Sequence, residues 1–496
     1  MRFGMITDRR ISGGSTHLLE RRTRQPSDDA TGPAMKTSIS GYLCRAELIR
    51  FSHGLPRSAP LTWSQRGWLA RVLGEHVDPS DLAASRHIYV DGLAVEAVLP
   101  RLRQLVERFE ALRTSFVIDG LEDSVQQVAA EGAFDAVIVE LPDARPEQVR
   151  RAAAEVEEEL RVLAGDFPSD WSTRFALLVH QGSVYSVVFA VSYFTVDNTA
   201  AATLSAVLLH LLEHGSFPDA RGTDWHPIDQ AEYETGPAGR GQSLRSVEYW
   251  RESFERGPAS MFPVRRAPDA ELGFVEFEMQ SEALTTALPH IAAAYEVGEP
   301  VVMLAATCIA LRELTGTDPV RLEIIFNNRW RPELRNAVCN VAQNAVFTIP
   351  CDDARFEDFL KLAASQSVRA HRNSHHDPIA VEEARKAVST AQGKAVERSV
   401  FLNHSAPPGN PVDQPYDDAY ALGSMLRKTS VEPVGQYSSG GTKFYLGVER
   451  EPRLRRYRLF VDTCFITREE AVKTLHRIEQ IAVDEARAVR ERQTVG

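Results

Sequence analysis

The 496-residue chain lacks most features that would place it at once. No apolar run reaches the roughly 18 residues that a membrane-spanning helix requires, so no span is expected. Arg9, Arg10, Arg21 and Arg22 lie near the start without an apolar core of signal-peptide length, which argues against secretion. Cysteines are few: Cys44, Cys308, Cys339, Cys351 and Cys464 are scattered without paired spacing. That pattern excludes a disulfide framework and a zinc site, and it predicts a reducing, cytoplasmic setting. Positive charge is in deficit, 56 Lys and Arg against 68 Asp and Glu, for a formal net charge of −12. A nucleic-acid partner, which needs a basic surface, is therefore not expected. The dinucleotide, zinc-protease and nucleophile-elbow fingerprints are absent, and no short-period repeat appears.

What remains is ordinary globular composition, 43% hydrophobic and 25% charged, in a chain long enough for two core-forming units. Residues 1–40, rich in Arg, Ser, Gly and Thr, read as a flexible leader. Thr62 and Gln65 have capping-box spacing at the head of a helix. Val98, Leu102, Leu105, Val106, Phe109 and Leu112 mark one face of a helix over 95–112, and a strand follows at 113–118. A charged helix covers 147–162. Strands at 175–180 and 184–191 read as a pair, the second apolar enough to be buried on both faces. It runs into Ser192-Tyr193-Phe194-Thr195-Val196-Asp197-Asn198 and then a helix that stops at Gly215. The Gly-, Pro- and Asp-rich stretch 215–245 reads as a linker or an exposed crossover. A helix at 301–314, a strand at 320–326, a helix at 356–372 and a late strand at 458–461 follow. A hairpin is expected from 431–437 and 443–449 around Ser438-Ser439-Gly440-Gly441, and a helix capped by Thr467 and Glu470 comes last. Two mixed α/β halves are expected, at 41–225 and 226–490.

Several segments, in order, resemble condensation domains of nonribosomal peptide synthetases. They are Leu61-Thr62-Trp63-Ser64-Gln65, Glu107-Arg108-Phe109-Glu110-Ala111-Leu112-Arg113-Thr114-Ser115-Phe116, Tyr249-Trp250-Arg251, Leu314-Thr315-Gly316, Phe326-Asn327-Asn328-Arg329-Trp330 and Arg331-Pro332-Glu333-Leu334. The resemblance covers about 45–490. It implies a stand-alone α/β (α+β sandwich) protein of the chloramphenicol acetyltransferase-like superfamily, two lobes in a V with a central tunnel. The family's central motif is His-His-x-x-x-Asp-Gly. Here Ser192 replaces the first histidine, Tyr193 the second and usually catalytic one, and Asn198 the glycine, while Asp197 is retained. The resemblance further implies a structural ion pair between Asp197 and Arg329. It makes Tyr193 and Ser192 the catalytic candidates, with Asn198, Asn328, Asn403 and His404 as candidates for the tunnel lining.

The implied reaction forms an amide or ester bond from an acyl thioester, and the donor is expected on the phosphopantetheine of a separate carrier protein or as a free small molecule, with an amine as acceptor. It would serve antibiotic or other specialised-metabolite biosynthesis, with no bound cofactor. Tyrosine at 193 weakens a base role, because an unperturbed phenol titrates near pH 10. An acyltransferase with altered machinery, a different reaction on the same fold, and a noncatalytic module that docks a carrier protein or tailoring enzyme all remain open, as does a coenzyme A-dependent transferase. The spacing of His371 and His375 allows a metal pair, but a solvated helix end before Pro378 is the expected reading, with no metal. His404 reads as a histidine at a strand end, although it could supply a replacement imidazole. The Ser438–Lys443 stretch reads as a hairpin turn and not as a phosphate loop.

Overall fold

Strand β9, Ser183–Ser192, is the element on which the first half is built, and its sequence explains why. Val187, Val188, Ala190 and Val191 are fully buried because both faces of the strand are covered. A computed structural model describes residues 38–74, 77–166, 171–218, 225–351, 355–405, 419–450 and 455–495. The expected leader, 1–40, lies almost wholly outside them; its end, Ser38–Ile39, forms a short strand, β1.

Before β9 come β2 (Tyr42–Ser52), β3 (Arg57–Pro60), α1 (Trp63–Gly74), β4 (Ala83–Ala94), α2 (Val95–Arg108), β5 (Thr114–Val117), β6 (Val125–Val128), β7 (Glu131–Glu140), α3 (Pro146–Gly165) and β8 (Thr173–His180). Helices α4 (Asn198–His214) and α5 (Pro227–Thr235) follow. A six-stranded sheet runs β1-β2-β7-β8-β9-β4, with β7 and β8 parallel and its other pairs antiparallel. Strands β3, β6 and β5 form a small antiparallel sheet. Helix α3 lays Val149, Ala152, Ala153, Val156 and Leu160 on one face of the larger sheet, the 3.6-residue stripe visible in the sequence. The capping box at Thr62 forms as expected: Thr62 N donates to Gln65 Oε1 at 2.8 Å and Gln65 N to Thr62 Oγ1 at 3.3 Å. Gly215 ends α4 in the left-handed conformation, φ 76°.

The second half contains α6 (Pro237–Arg256), β10 (Phe274–Gln280), α7 (Glu282–Ala294), α8 (Glu299–Thr315), β11 (Val320–Phe326), β12 (Gln343–Ile349), α9 (Phe356–Arg372), α10 (Pro378–Gln392), β13 (Val400–His404), α11 (Ala419–Leu426), β14 (Ser430–Tyr437), β15 (Phe444–Arg450), β16 (Arg455–Asp462) and α12 (Arg468–Val495). Its sheet runs β12-β11-β13-β15-β16-β10-β14. One large core joins its helices to the sheet, with Trp250, Phe347, Phe444 and Tyr457 among the buried rings. The Thr467–Glu470 cap on α12 is present, with Thr467 N donating to Glu470 Oε2 at 2.8 Å.

Three expectations need correction. The described chain divides into two compact units, one running to Gly241 and including Asn327–Ala342, the other made of Gln242–Phe326 and residues from Gln343 on. The boundary thus differs from 225/226, and 227–245 is helical rather than linker. Pro227 and Pro237 open helices, where a missing N–H costs nothing, so prolines that suggest a loop here mark helix starts. The expected hairpin does not form: β14 pairs with β10, and β15 pairs with β13 and β16. Gly440 between them faces the stacked Phe274 and Phe460 rings, and a Cβ there would meet Phe460 at 2.6 Å.

His371 stacks on Phe326, and His376 is sealed edge-on against Trp250 at 5.2 Å between centroids. Among the described residues no three His, Cys, Asp or Glu side chains cluster as metal ligands, and no single helix is long and apolar enough to cross a membrane. Burial pushes His376 down to about 3, helped by the Arg398 charge. Its unfolded value is near 6.5, so its neutral form contributes stability above about pH 6.5, and that contribution is lost as pH falls toward 3. In denaturant titrations between about pH 7 and pH 4, the wild type should lose up to about 1.4 kcal/mol per pH unit more than His376→Phe. Equal slopes would show that the buried imidazole does not set this acid sensitivity.

Candidate active site

The turn after β9 is held from several sides before α4 begins. Asp197 is the N-cap of α4, and its Oδ1 accepts from Ala200 N at 2.9 Å. Its Oδ2 accepts from Arg329 Nη1 at 2.8 Å and from Val341 N at 3.1 Å. Both partners of the ion pair are buried, at 5% and 2% side-chain exposure. Arg329 also donates from Nη2 to the carbonyls of Ala337 and Cys339, and from Nη1 to that of Asn327. Burial alone would lower the guanidinium pKa; the adjacent Asp197 carboxylate outweighs it and raises the value. Arg329 lies in Asn327–Ala342, which belongs to the first compact unit, so the pair is internal to that unit rather than spanning two lobes.

The same segment supports the motif's backbone. Asn340 Nδ2 donates to Tyr193 O at 2.5 Å, and Tyr193 N donates to Leu82 O at 2.7 Å. Asn328 occupies the left-handed region at φ 54°, which asparagine tolerates, and donates to Val341 O at 2.9 Å. Ser192 is 2% exposed; its Oγ accepts from Phe194 N and faces Leu82 O at 3.4 Å. These bonds give Ser192 a place in the turn's framework.

Tyr193 is 7% exposed. Its ring stacks on Trp68 at 5.3 Å and 11°, and its hydroxyl donates to Asn198 Oδ1 at 3.3 Å. Arg86 Nη2 reaches the same Asn198 oxygen at 3.4 Å. Burial raises the phenol pKa, and the nearby Arg86 charge only partly offsets it. The phenol is therefore neutral at physiological pH and already engaged as a donor, a poor starting point for proton abstraction.

A condensation-domain family model matches residues 57–378. The chain belongs to the condensation-domain family. It is 25% identical over 309 residues to cyclosporin synthetase of Tolypocladium inflatum, a match that covers 60% of this chain and 2% of that protein's length. The solved structures with similar folds include a condensation domain and an epimerization domain. One is the condensation domain of chain release in the enacyloxin polyketide synthase, with TM-score 0.64, 16% identity, and 92% of this chain and 84% of that one covered. The other is the epimerization domain from the third module of tyrocidine synthetase B, with TM-score 0.61, 13% identity, and 88% and 99% covered. The expected mixed α/β, chloramphenicol acetyltransferase-like fold is thus the fold of this condensation domain.

Ser192, Tyr193, Asp197, Asn198, Asn328 and Arg329 come together within one unit. Asn403 and His404 belong to the other unit, where Asn403 donates to Tyr445 OH at 3.0 Å and His404 ends β13. Sequence reasoning missed Trp68, Asn340 and Arg86. Trp68 was legible only as an apolar position of α1. Asn340 sits in irregular chain, where no periodicity marks it, and Arg86 on β4 is paired to β9 only by the sheet's register.

Removing one member of a buried ion pair strands the other, at a typical cost of about 3–5 kcal/mol. Asp197→Ala should lose about that much, since Arg329 would lose its countercharge and α4 its cap. Chemical denaturation checks this; a loss under about 1 kcal/mol would deny the pair its bracing role.

Proposed function

We propose that this condensation domain joins an acyl thioester, delivered on the phosphopantetheine of a carrier protein, to an amine or alcohol by holding the two reactants together, without a general base at position 193. The nucleophile attacks the thioester carbonyl, a C–N or C–O bond forms, and the C–S bond breaks. The nucleophile's proton leaves to solvent or to the departing thiolate. The observation that carries this reading is the neutral Tyr193 phenol, buried and committed to Asn198, on a turn whose Asp197–Arg329 brace is intact.

The magnitudes make such an enzyme workable. General acid–base catalysis is typically worth about 10²–10⁴-fold, whereas alignment of two reactants supplies effective concentrations of about 10⁵–10⁸ M. An activated thioester and a strong nucleophile need alignment most.

A second reading is a noncatalytic condensation-like module that docks a carrier protein or tailoring enzyme. The Trp68 indole stacked flat on the Tyr193 ring favours it, since two large side chains then occupy the motif's surroundings.

The test incubates the protein with acyl-loaded carrier proteins and amine or alcohol acceptors and follows product by mass. Tyr193→Phe should keep the rate within about tenfold, because no proton transfer is lost, and Tyr193→His should raise it by at most about 10²–10⁴-fold. Loss of all turnover in a folded Tyr193→Phe protein would assign the phenol a chemical role. Absence of turnover with every pair would favour docking.

A further inference from the structure

Burial sorts the side chains of the motif turn. Ser192, Tyr193, Phe194, Thr195, Val196 and Asp197 are all buried, and Asn198, the next residue, is the first that solvent reaches. A substrate that arrives at this turn therefore meets the Asn198 side chain before any other side chain of the motif. Asn198 opens α4 directly after the Asp197 cap, so its backbone is fixed by the Asp197–Arg329 pair. Its amide is fixed as well. Oδ1 faces two donors, the Tyr193 hydroxyl at 3.3 Å and Arg86 Nη2 at 3.4 Å. A guanidinium carries donors and no acceptor, so the oxygen of the amide, and not its nitrogen, is turned toward Arg86. Nδ2 then lies on the opposite side of the amide group. Among the described residues nothing accepts from it, and it is not sealed from solvent.

An oriented donor that the protein has not used is the feature that stabilises charge developing on an acyl oxygen. We infer that Asn198 is a catalytic residue of this domain, its Nδ2 donating to the thioester carbonyl oxygen while Tyr193 and Arg86 hold its amide in place. This rests on the proposed acyl transfer and makes Tyr193 a positioning residue within it. As the nucleophile adds to the carbonyl carbon, the C=O π pair moves onto oxygen, and the Nδ2 hydrogen bond strengthens toward that oxyanion. When the pair returns, the C–S bond breaks and the thiolate leaves. Asn198 gives up no proton, and the step calls for no base at 193. Tyr193→Phe leaves Arg86 in place on Oδ1, in keeping with the modest loss expected of that variant.

Asn198→Asp is the discriminating variant. It keeps an oxygen for Tyr193 and Arg86 and replaces the donor by an atom that only accepts. Removing one oxyanion donor typically costs about 10²–10³-fold in kcat. With acyl-loaded carrier protein and an amine, Asn198→Asp and Asn198→Ala should each lose about that much in kcat, with KM changed far less. Infrared difference spectra of octanoyl-pantetheine, isotope-labelled at the thioester carbonyl, give a readout that needs no turnover. The hydrogen bond should lower the carbonyl stretch of the bound probe in the wild type and in neither variant. A bound probe with an unshifted stretch, or a folded Asn198→Asp protein with wild-type kcat, would overturn the role of Asn198 and leave acyl transfer standing. A lowered stretch that both variants abolish, in a protein that turns over no pair, would support the donor site while acyl transfer itself fails.

Discussion

The buried pair of Asp197 and Arg329 is the constraint on which the motif region depends. One carboxylate caps α4, neutralises a guanidinium and receives the Val341 amide, so a single side chain fixes the end of β9, the start of α4 and the 327–342 segment. A charge pair at 5% and 2% exposure is tolerated only because its remaining hydrogen-bonding capacity is used. Arg329 spends its other donors on the carbonyls of Asn327, Ala337 and Cys339. Without that web the pair would be a net burden; with it, the turn carrying Ser192 and Tyr193 has one geometry.

That geometry explains why motif positions can change while the frame persists. The brace acts through backbone and through Asp197, with Ser192 Oγ bonded within the turn, and not through the side chains at 193 and 198. Tyr193 is positioned by its own amide and carbonyl, bonded to Leu82 and Asn340. The side chain at 193 is therefore free to differ chemically without loosening the turn. Here it has settled against Trp68 and Asn198.

The sequence was most informative where periodicity or capping chemistry is local. The bounds of β11 and α9, the stop at Gly215, and both capping boxes could be read because each depends on residues within a few positions. The pairing of β14 with β10 could not, because the two strands are far apart in sequence and the Gly440-Gly441 pair mimics a hairpin turn. The Pro-rich stretch misled for a related reason: proline breaks a helix interior but favours its first turn, and composition does not tell these apart. At the site, Asp197 and Arg329 were visible through family resemblance. Asn340 and Trp68 were not, since their roles arise only when distant segments meet.

The chemical consequence follows from where the Tyr193 oxygen stands. A phenol can act as a base only after losing its own proton, and burial raises the cost of the resulting anion. Arg86 offsets part of that cost, yet its guanidinium reaches Asn198 rather than the phenol itself. The lone pairs of the neutral phenol can still accept a weak bond, but its proton is already given to Asn198. A base contributing about 10²–10⁴-fold corresponds to about 3–5.5 kcal/mol of barrier, a smaller quantity than the 7–11 kcal/mol or so that alignment can supply. On the proposed reading, a condensation domain that keeps its brace and has no base at position 193 loses the lesser of the two contributions.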